Sequence, residues 1–194
     1  MSGTRWAADP LEDPQDLPAD PEQVARTILL RRLESAPRTR SELATTLRER
    51  NVPEDVALRV LDRFEEVGLI DDRVFARMWV ESRQRTRSLS GRALHNELRR
   101  KDIRHDLIVE ALEQVSAEDE LTAAREVAQR KARSVVGLPR ATQVRRLSGA
   151  LARKGYGPGL TAQVVREVLD AAEADISAGE SDSDTGESRP ADCP

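Results

Sequence analysis

The sequence predicts an all-α fold: an elongated array of three tandem three-helix repeats, about nine helices in helix-turn-helix-like units, between disordered acidic tails. Three observations carry that prediction. Aromatics make up 3% of the chain, too few for a β-sandwich, whose strands want Tyr, Phe and Trp. The remainder is rich in Leu, Ala, Glu and Arg, which enter helices at little cost. Helix-start signals recur along the middle of the chain, and three segments align without gaps on one apolar pattern. A length of 194 residues suits one or two ordinary domains or a short array of small repeats.

The elements follow in order. "WAADPLEDPQDLPADP" (6–21) is rich in Pro and Asp and has no apolar period, so residues 1–20 are read as a disordered acidic tail. Asp20-Pro21 sets an N-cap before a first-turn proline and opens the period Val24, Ile28, Leu29, Leu33. Thr39 and Glu42 fit a capping box ahead of Leu43 and Leu47. Pro53 marks the next start. Asp71-Asp72 precede "RVFARMWVESRQR", and Ser90 precedes "GRALHNELRRK". Ser116 with Asp119 forms another box, and Pro139 and Pro158 each sit where a helix begins. "SAGESDSDTGESRPADCP" (177–194) is too polar to offset its own ordering and reads as a second disordered tail. The three repeats are placed at residues 21–70, 71–115 and 116–176.

The repeat is read from "LRERNVPEDVALRVL" (47–61), "LRRKDIRHDLIVEAL" (98–112) and "LARKGYGPGLTAQVV" (151–165). Apolar residues coincide five positions after the leading Leu (Val52, Ile103, Tyr156), nine after it (Val56, Leu107, Leu160) and fourteen after it (Leu61, Leu112, Val165). They coincide again four positions before it, at Leu43 and Leu94 and Leu147. Position four after it holds Asn51, Asp102 and Gly155, types that tolerate the left-handed backbone of a helix C-terminal turn.

Charge is unevenly spread. The whole chain has a formal net charge of −4, yet residues 24–170 carry 29 Lys and Arg against 22 Asp and Glu. Both tails are acidic. A basic body is the footprint of a polyanion binder, although acidic tails alone imply nothing. The excess concentrates in two runs. In residues 83–104 the cations are Arg83, Arg85, Arg87, Arg92, Arg99, Arg100, Lys101 and Arg104, against Glu97 and Asp102. Residues 125–154 include Arg130, Lys131, Arg133, Arg145, Arg146, Arg153 and Lys154, with Glu126 as the acid. A merely solvated face mixes signs to form i,i+4 pairs. Here Arg130, Lys131, Arg133, Arg140, Arg145, Arg146, Arg153 and Lys154 have few acidic neighbours in sequence, which points to a polyanion or an acidic partner protein.

Other chemistries find little support. Single-strand readers add stacking aromatics, but Phe64, Phe75 and Trp79 lie on apolar helical faces and Tyr156 takes an aligned core position, so packing is their reading. Phosphate or protein contact is therefore favoured over base reading. "GYGPG" (155–159) lacks the spacing of a phosphate-cradling loop. His95 and His105 read as surface residues, Asp71 and Asp72 as helix-capping acids rather than a metal pair. No nucleophile, base and oxyanion site assemble, so the chain is read as no enzyme, with no cofactor and no metal. Cys193, in the tail, cannot form an internal disulfide. No signal-peptide core or membrane-length apolar run occurs, which is read as cytoplasmic.

Three segments resemble one family. "LIDDRVFARMWVESRQ" (69–84), with Ile70, Asp71, Asp72, Phe75 and Ala76, resembles the Ile-Asp-Asp-x-x-Phe-Ala signature of the RecX family of recombinase regulators. "GRALHNELRRKDI" (91–103) is similar to that family's Gly-x-x-x-Leu-x-x-Glu-Leu-x-x-Lys-Gly-Ile segment, with Asp102 in place of the glycine, and "LARKGYGPGLTAQVV" to its third-repeat stretch. The resemblance spans about residues 24–172. It implies a regulator that binds RecA filaments on single-stranded DNA, without sequence preference, and suppresses ATP hydrolysis, strand exchange and filament extension. The expectation is a monomer whose residues Arg83–Arg104 and Arg125–Lys154 supply the contact. A rival reading takes "RSELATTLRERNVPEDVALRVLDRFEEVGLI" (40–70) as a winged-helix DNA-binding transcription regulator. That domain should continue into a two-stranded wing.

Overall fold

The computed structural model describes residues 20–181, and among them lie nine α-helices and no strand. The chain divides into two compact units, one ending at Asp71 and the other beginning at Asp72. The expected disorder of residues 1–19 and 182–194 lies outside the described residues.

The first unit contains α1 (Pro21–Ser35), α2 (Arg40–Glu49) and α3 (Glu54–Glu66). Their starts obey the caps read from sequence. The Asp20 carboxylate accepts from the Glu22 amide. The Thr39 hydroxyl accepts from the Glu42 amide while the Glu42 carboxylate accepts from the Thr39 amide, each at 3.2 Å. Such a cap contributes about 1 kcal/mol by satisfying amides that have no partner in the helix. Leu29, Leu43, Leu47 and Leu61 are fully or almost fully buried around Phe64, and Ile70 closes the same core. Arg40 ties α2 to α3 through Asp62 at 2.7 Å and Glu65 at 3.1 Å.

The second unit holds two further three-helix groups. In one, α4 (Asp72–Arg87), α5 (Gly91–Arg100) and α6 (His105–Leu112) enclose Phe75, Ala76, Val80, Leu94, Leu98 and Ile108. In the other, α7 (Ala117–Ala132), α8 (Arg140–Arg153) and α9 (Pro158–Ser181) enclose Ala124, Leu147, Leu151, Tyr156 and Val164. Each group thus owns an apolar core. The signature residues divide accordingly: Ile70 belongs to the first core, while Phe75 and Ala76 belong to the second.

The repeat pattern has a backbone cause. Asn51, Asp102 and Gly155 all have positive φ, at 58°, 56° and 91°. The amide that follows each one donates back to the carbonyl of the leading Leu: Val52 to Leu47 at 3.1 Å, Ile103 to Leu98 at 3.3 Å, Tyr156 to Leu151 at 3.2 Å. This is the Schellman turn, in which a left-handed residue lets the chain reverse while the helix's last carbonyls stay satisfied. The leading Leu of each copy is fully buried. What the alignment detected was one C-terminal turn used three times.

The last helix departs from expectation. It runs to Ser181, past the repeat boundary placed at 176. Ala171, Ala172, Ala174 and Ala178 favour helix, and no proline interrupts the chain before Pro190. Among the described residues, no helix is long and apolar enough to cross a membrane.

Candidate binding surface

The cations predicted as contacts separate into two environments. The first surrounds Trp79 on α4. Its ring stacks on Phe75 with centroids 5.6 Å apart, and its indole N–H donates to the Glu97 carboxylate at 2.9 Å. The Arg83 guanidinium lies 4.1 Å from the Trp79 centroid and the Lys101 ammonium 4.4 Å from it, both within cation–π range. Glu97 also sits 3.4 Å from Arg83 Nε, an ion-pair distance without hydrogen-bond geometry, and 3.8 Å from Arg87. One carboxylate thus serves an indole and two guanidinium groups. Trp79 is half-buried and engaged, as its packing role required.

The second environment is the joint between the two helical groups of the second unit. The short connection from α4 to α5 crosses the turn between α8 and α9. Ser88 is buried there with φ of 48°. Its carbonyl accepts from the Tyr156 hydroxyl at 2.9 Å, and its own hydroxyl accepts from Arg130 at 3.3 Å. The Ser90 amide donates to the Lys154 carbonyl at 3.0 Å, the Lys154 ammonium donates to the Arg87 carbonyl, and the Gly91 amide donates to Glu120 at 2.9 Å. Gly155 has no room for a side chain, since a Cβ there would lie 2.5 Å from Ser90 Oγ. Burial pushes the Tyr156 hydroxyl up to about 12, helped by Glu120 and Glu126.

Around this joint Arg87, Arg130, Lys131, Arg153 and Lys154 line an open groove of about 480 Å³, with Leu89, Val127 and Ala150 beneath them. Arg87 has Glu97 at 3.8 Å; among the described residues the other four cations form no ion pair. Burial lowers the Lys154 ammonium from its ordinary value, and the charges of Arg130 and Arg87 lower it further. Like charges held together without acids attract an anion most simply through phosphate oxygens or carboxylates.

The remaining contact candidates are dispersed. Arg99 and Arg100 are exposed at the end of α5 and Arg92 at its start. Arg104 precedes α6, 3.2 Å from Asp106. Arg85 pairs with Glu81 at 3.4 Å on its own helix. Arg133 caps α7, and Arg145 and Arg146 are exposed on α8. Few acidic neighbours in sequence does not mean few in space, for cations of either run. Arg83, Arg85, Arg87 and Arg104 have the partners named above, Arg125 meets Glu167 at 2.9 Å, and Arg140 meets Asp170 and Glu173, each at 2.5 Å. Most of these acids lie on other helices, out of reach of a sequence-neighbour argument. Ser88 was missed altogether: serine in a left-handed conformation has no signal in composition or spacing. His95 and His105, separated in sequence, meet edge to face with centroids 5.7 Å apart.

The fold and this surface define a helical-repeat protein of three three-helix groups with a cationic joint. Family models match each group: the first three-helix domain of RecX over residues 25–64, the second over 71–112 and the third over 118–165. The chain belongs to the RecX family of regulatory proteins. It is 50% identical over 153 residues to the regulatory protein RecX of Streptomyces coelicolor, covering 79% of this chain and 81% of that one. The Thermobifida fusca RecX is 45% identical over 168 residues, covering 85% and 91%. A crystal structure of RecX from Lactobacillus salivarius superposes with a TM-score of 0.70 at 19% identity, over 77% of this chain and 97% of that one.

Proposed function

We propose that this chain binds RecA filaments on single-stranded DNA and inhibits RecA ATP hydrolysis, strand exchange and filament extension. Family membership supports the class of regulator. The observation that carries the mechanism is the joint, where Arg130, Lys131, Arg153 and Lys154 gather without ion pairs among the described residues. In this reading the joint meets DNA phosphates, and Arg99, Arg100, Arg133, Arg145 and Arg146 extend the contact. The protein acts in the cytoplasm as a monomer, without cofactor or catalytic step. The three helical groups are its working repeats, and residues 1–19 and 182–194 are dispensable.

The winged-helix alternative fares worse. A wing of paired strands is needed after residue 70, and α4 begins there instead.

The test is the double variant Lys131→Glu/Arg153→Glu. Each lost phosphate contact should make the salt dependence of binding to single-stranded DNA shallower by about 0.7 in log–log slope, so about 1.4 for the pair. Inhibition of RecA ATPase should weaken at least about tenfold, the effect of losing roughly 1.4 kcal/mol. Circular dichroism should be unchanged. Full inhibition by a folded double variant would remove the joint from the mechanism.

A further inference from the structure

A second surface on the third helical group has different chemistry. Between α8 and α9 runs an open groove of about 640 Å³, whose lining shares no residue with that of the cationic groove at the joint. Val144, Ser148 and Ala152 form one wall at successive turns of α8, and Ala162, Val165 and Leu169 form the other along α9. Val165 and Leu169 are 3% and 2% exposed and make the floor, whereas Val144 is 39% exposed. Small residues on both walls keep the trough open. One polar group in its lining, the Thr161 hydroxyl, is buried without a hydrogen-bond partner among the described residues.

The rim is cationic. Arg92 and Arg166 border the groove, are exposed, and form no ion pair among the described residues. Arg140 borders it too, held by Asp170 and Glu173. The one aromatic in the lining, Tyr156, is 3% exposed with its hydroxyl committed to Ser88, so the apolar floor offers a nucleic-acid strand no open stacking platform. The walls instead match the helix-in-groove mode, where an amphipathic helix lays residues spaced i, i+3/i+4 and i+7 into a trough. The α8 wall from Val144 to Ala152 spans about 12 Å at 1.5 Å per residue, so roughly two turns of a docked helix fill it.

We infer that the α8–α9 groove is a protein-docking site for an acidic amphipathic helix of a partner protein, with apolar anchors on the floor and carboxylates facing Arg92 and Arg166. The two surfaces then divide the work: the joint takes phosphate, the groove takes a polypeptide. This inference does not require the partner to be RecA.

The experiment uses the full-length chain labelled with nitrogen-15 and a synthetic helical peptide bearing leucines at i, i+3, i+4 and i+7 among glutamates. Amide shifts should concentrate on α8 and α9 around Val144, Ala152 and Ala162. Affinity should fall at least tenfold in Ala162→Trp, which fills the trough from an exposed position, and severalfold in Arg92→Glu/Arg166→Glu. A control peptide with serines for leucines should bind at least tenfold more weakly. Equal binding of that control, shifts centred on the joint, or no shift at millimolar peptide would each overturn the proposal. So would the appearance of peptide binding only after residues 1–19 are deleted, since the chain's own segment would then be the occupant. RecA filament binding is measured in parallel. Its loss in Lys131→Glu/Arg153→Glu bears on the function proposed above, whereas its loss in Ala162→Trp would identify the recombinase as the docked partner.

Discussion

The second and third helical groups make the same turn and lead into it with the same Arg-Lys pair, Arg100-Lys101 and Arg153-Lys154, yet the outcomes differ. At Asp102 the turn is exposed and its C-cap lysine, Lys101, leans on Trp79 and Phe75. At Gly155 the turn is packed beneath Ser90 and Ala93, and its C-cap lysine, Lys154, faces Arg130 and Arg87. The nearby arginines differ likewise. Arg83 and Arg87 share Glu97, while Arg130 and Arg153 have no carboxylate at ion-pair distance among the described residues. A run of cations in sequence is therefore not yet a binding surface. Tertiary packing decides which charges are absorbed into the fold and which are left for a ligand.

The sharpest way to break the comparison is to put alanine at both turns. Alanine at position 155 suffers left-handed strain and drives its Cβ to 2.7 Å from the Ala93 Cβ as well as against Ser90. Strain and overpacking together should cost about 3 kcal/mol. At position 102 the alanine mainly exchanges one strained side chain for another, and the loss should stay near 1 kcal/mol. Urea unfolding of the two variants measures the difference; equal losses would mean the joint is not packed as described.

Next in size is Glu97→Ala. It strips a carboxylate from half-buried Arg83 and an acceptor from the Trp79 indole, which should destabilise the second unit by about 2 kcal/mol. Unfolding followed by tryptophan fluorescence would register this as a lower midpoint. Lys131 and Arg153 should show the reverse profile, with folding preserved and ligand binding lost.

The smallest effect is a pH dependence with two opposed parts. Lys154 is held below its ordinary 10.5 in the fold, so over the window beneath 10.5 the unfolded chain binds more protons and stability rises with pH. Tyr156 is held at about 12 against an ordinary 10.0, so from about 10 to 12 the folded chain keeps its proton and stability falls. Lys154→Met should abolish the rise and Tyr156→Phe the fall, as read from urea midpoints across the alkaline range. A rise that survives in Lys154→Met would assign it to another group.

Much of the fold was legible because its signals are local. The capping boxes at Thr39 and Ser116 span four residues each, and the turns at Asn51, Asp102 and Gly155 are fixed by a residue type beside a buried leucine. The joint was not legible. Its bonds link Ser88 with Tyr156 and Arg87 with Lys154, across separations of 68 and 67 residues, and no short-range pattern encodes them. The ion pairs failed for the same reason: Arg140 reaches Asp170 and Glu173 on another helix. The basic composition of the body could be read from the sequence, but the separation of cations already paired from those still open could not.

The chain contains one tyrosine, and it is the residue whose hydroxyl holds the Ser88 carbonyl. Ultraviolet absorbance of the phenolate is then a native spectroscopic reporter for a single seam, needing no attached dye. Any ligand that loosens or tightens the seam becomes visible as a displaced ionisation curve.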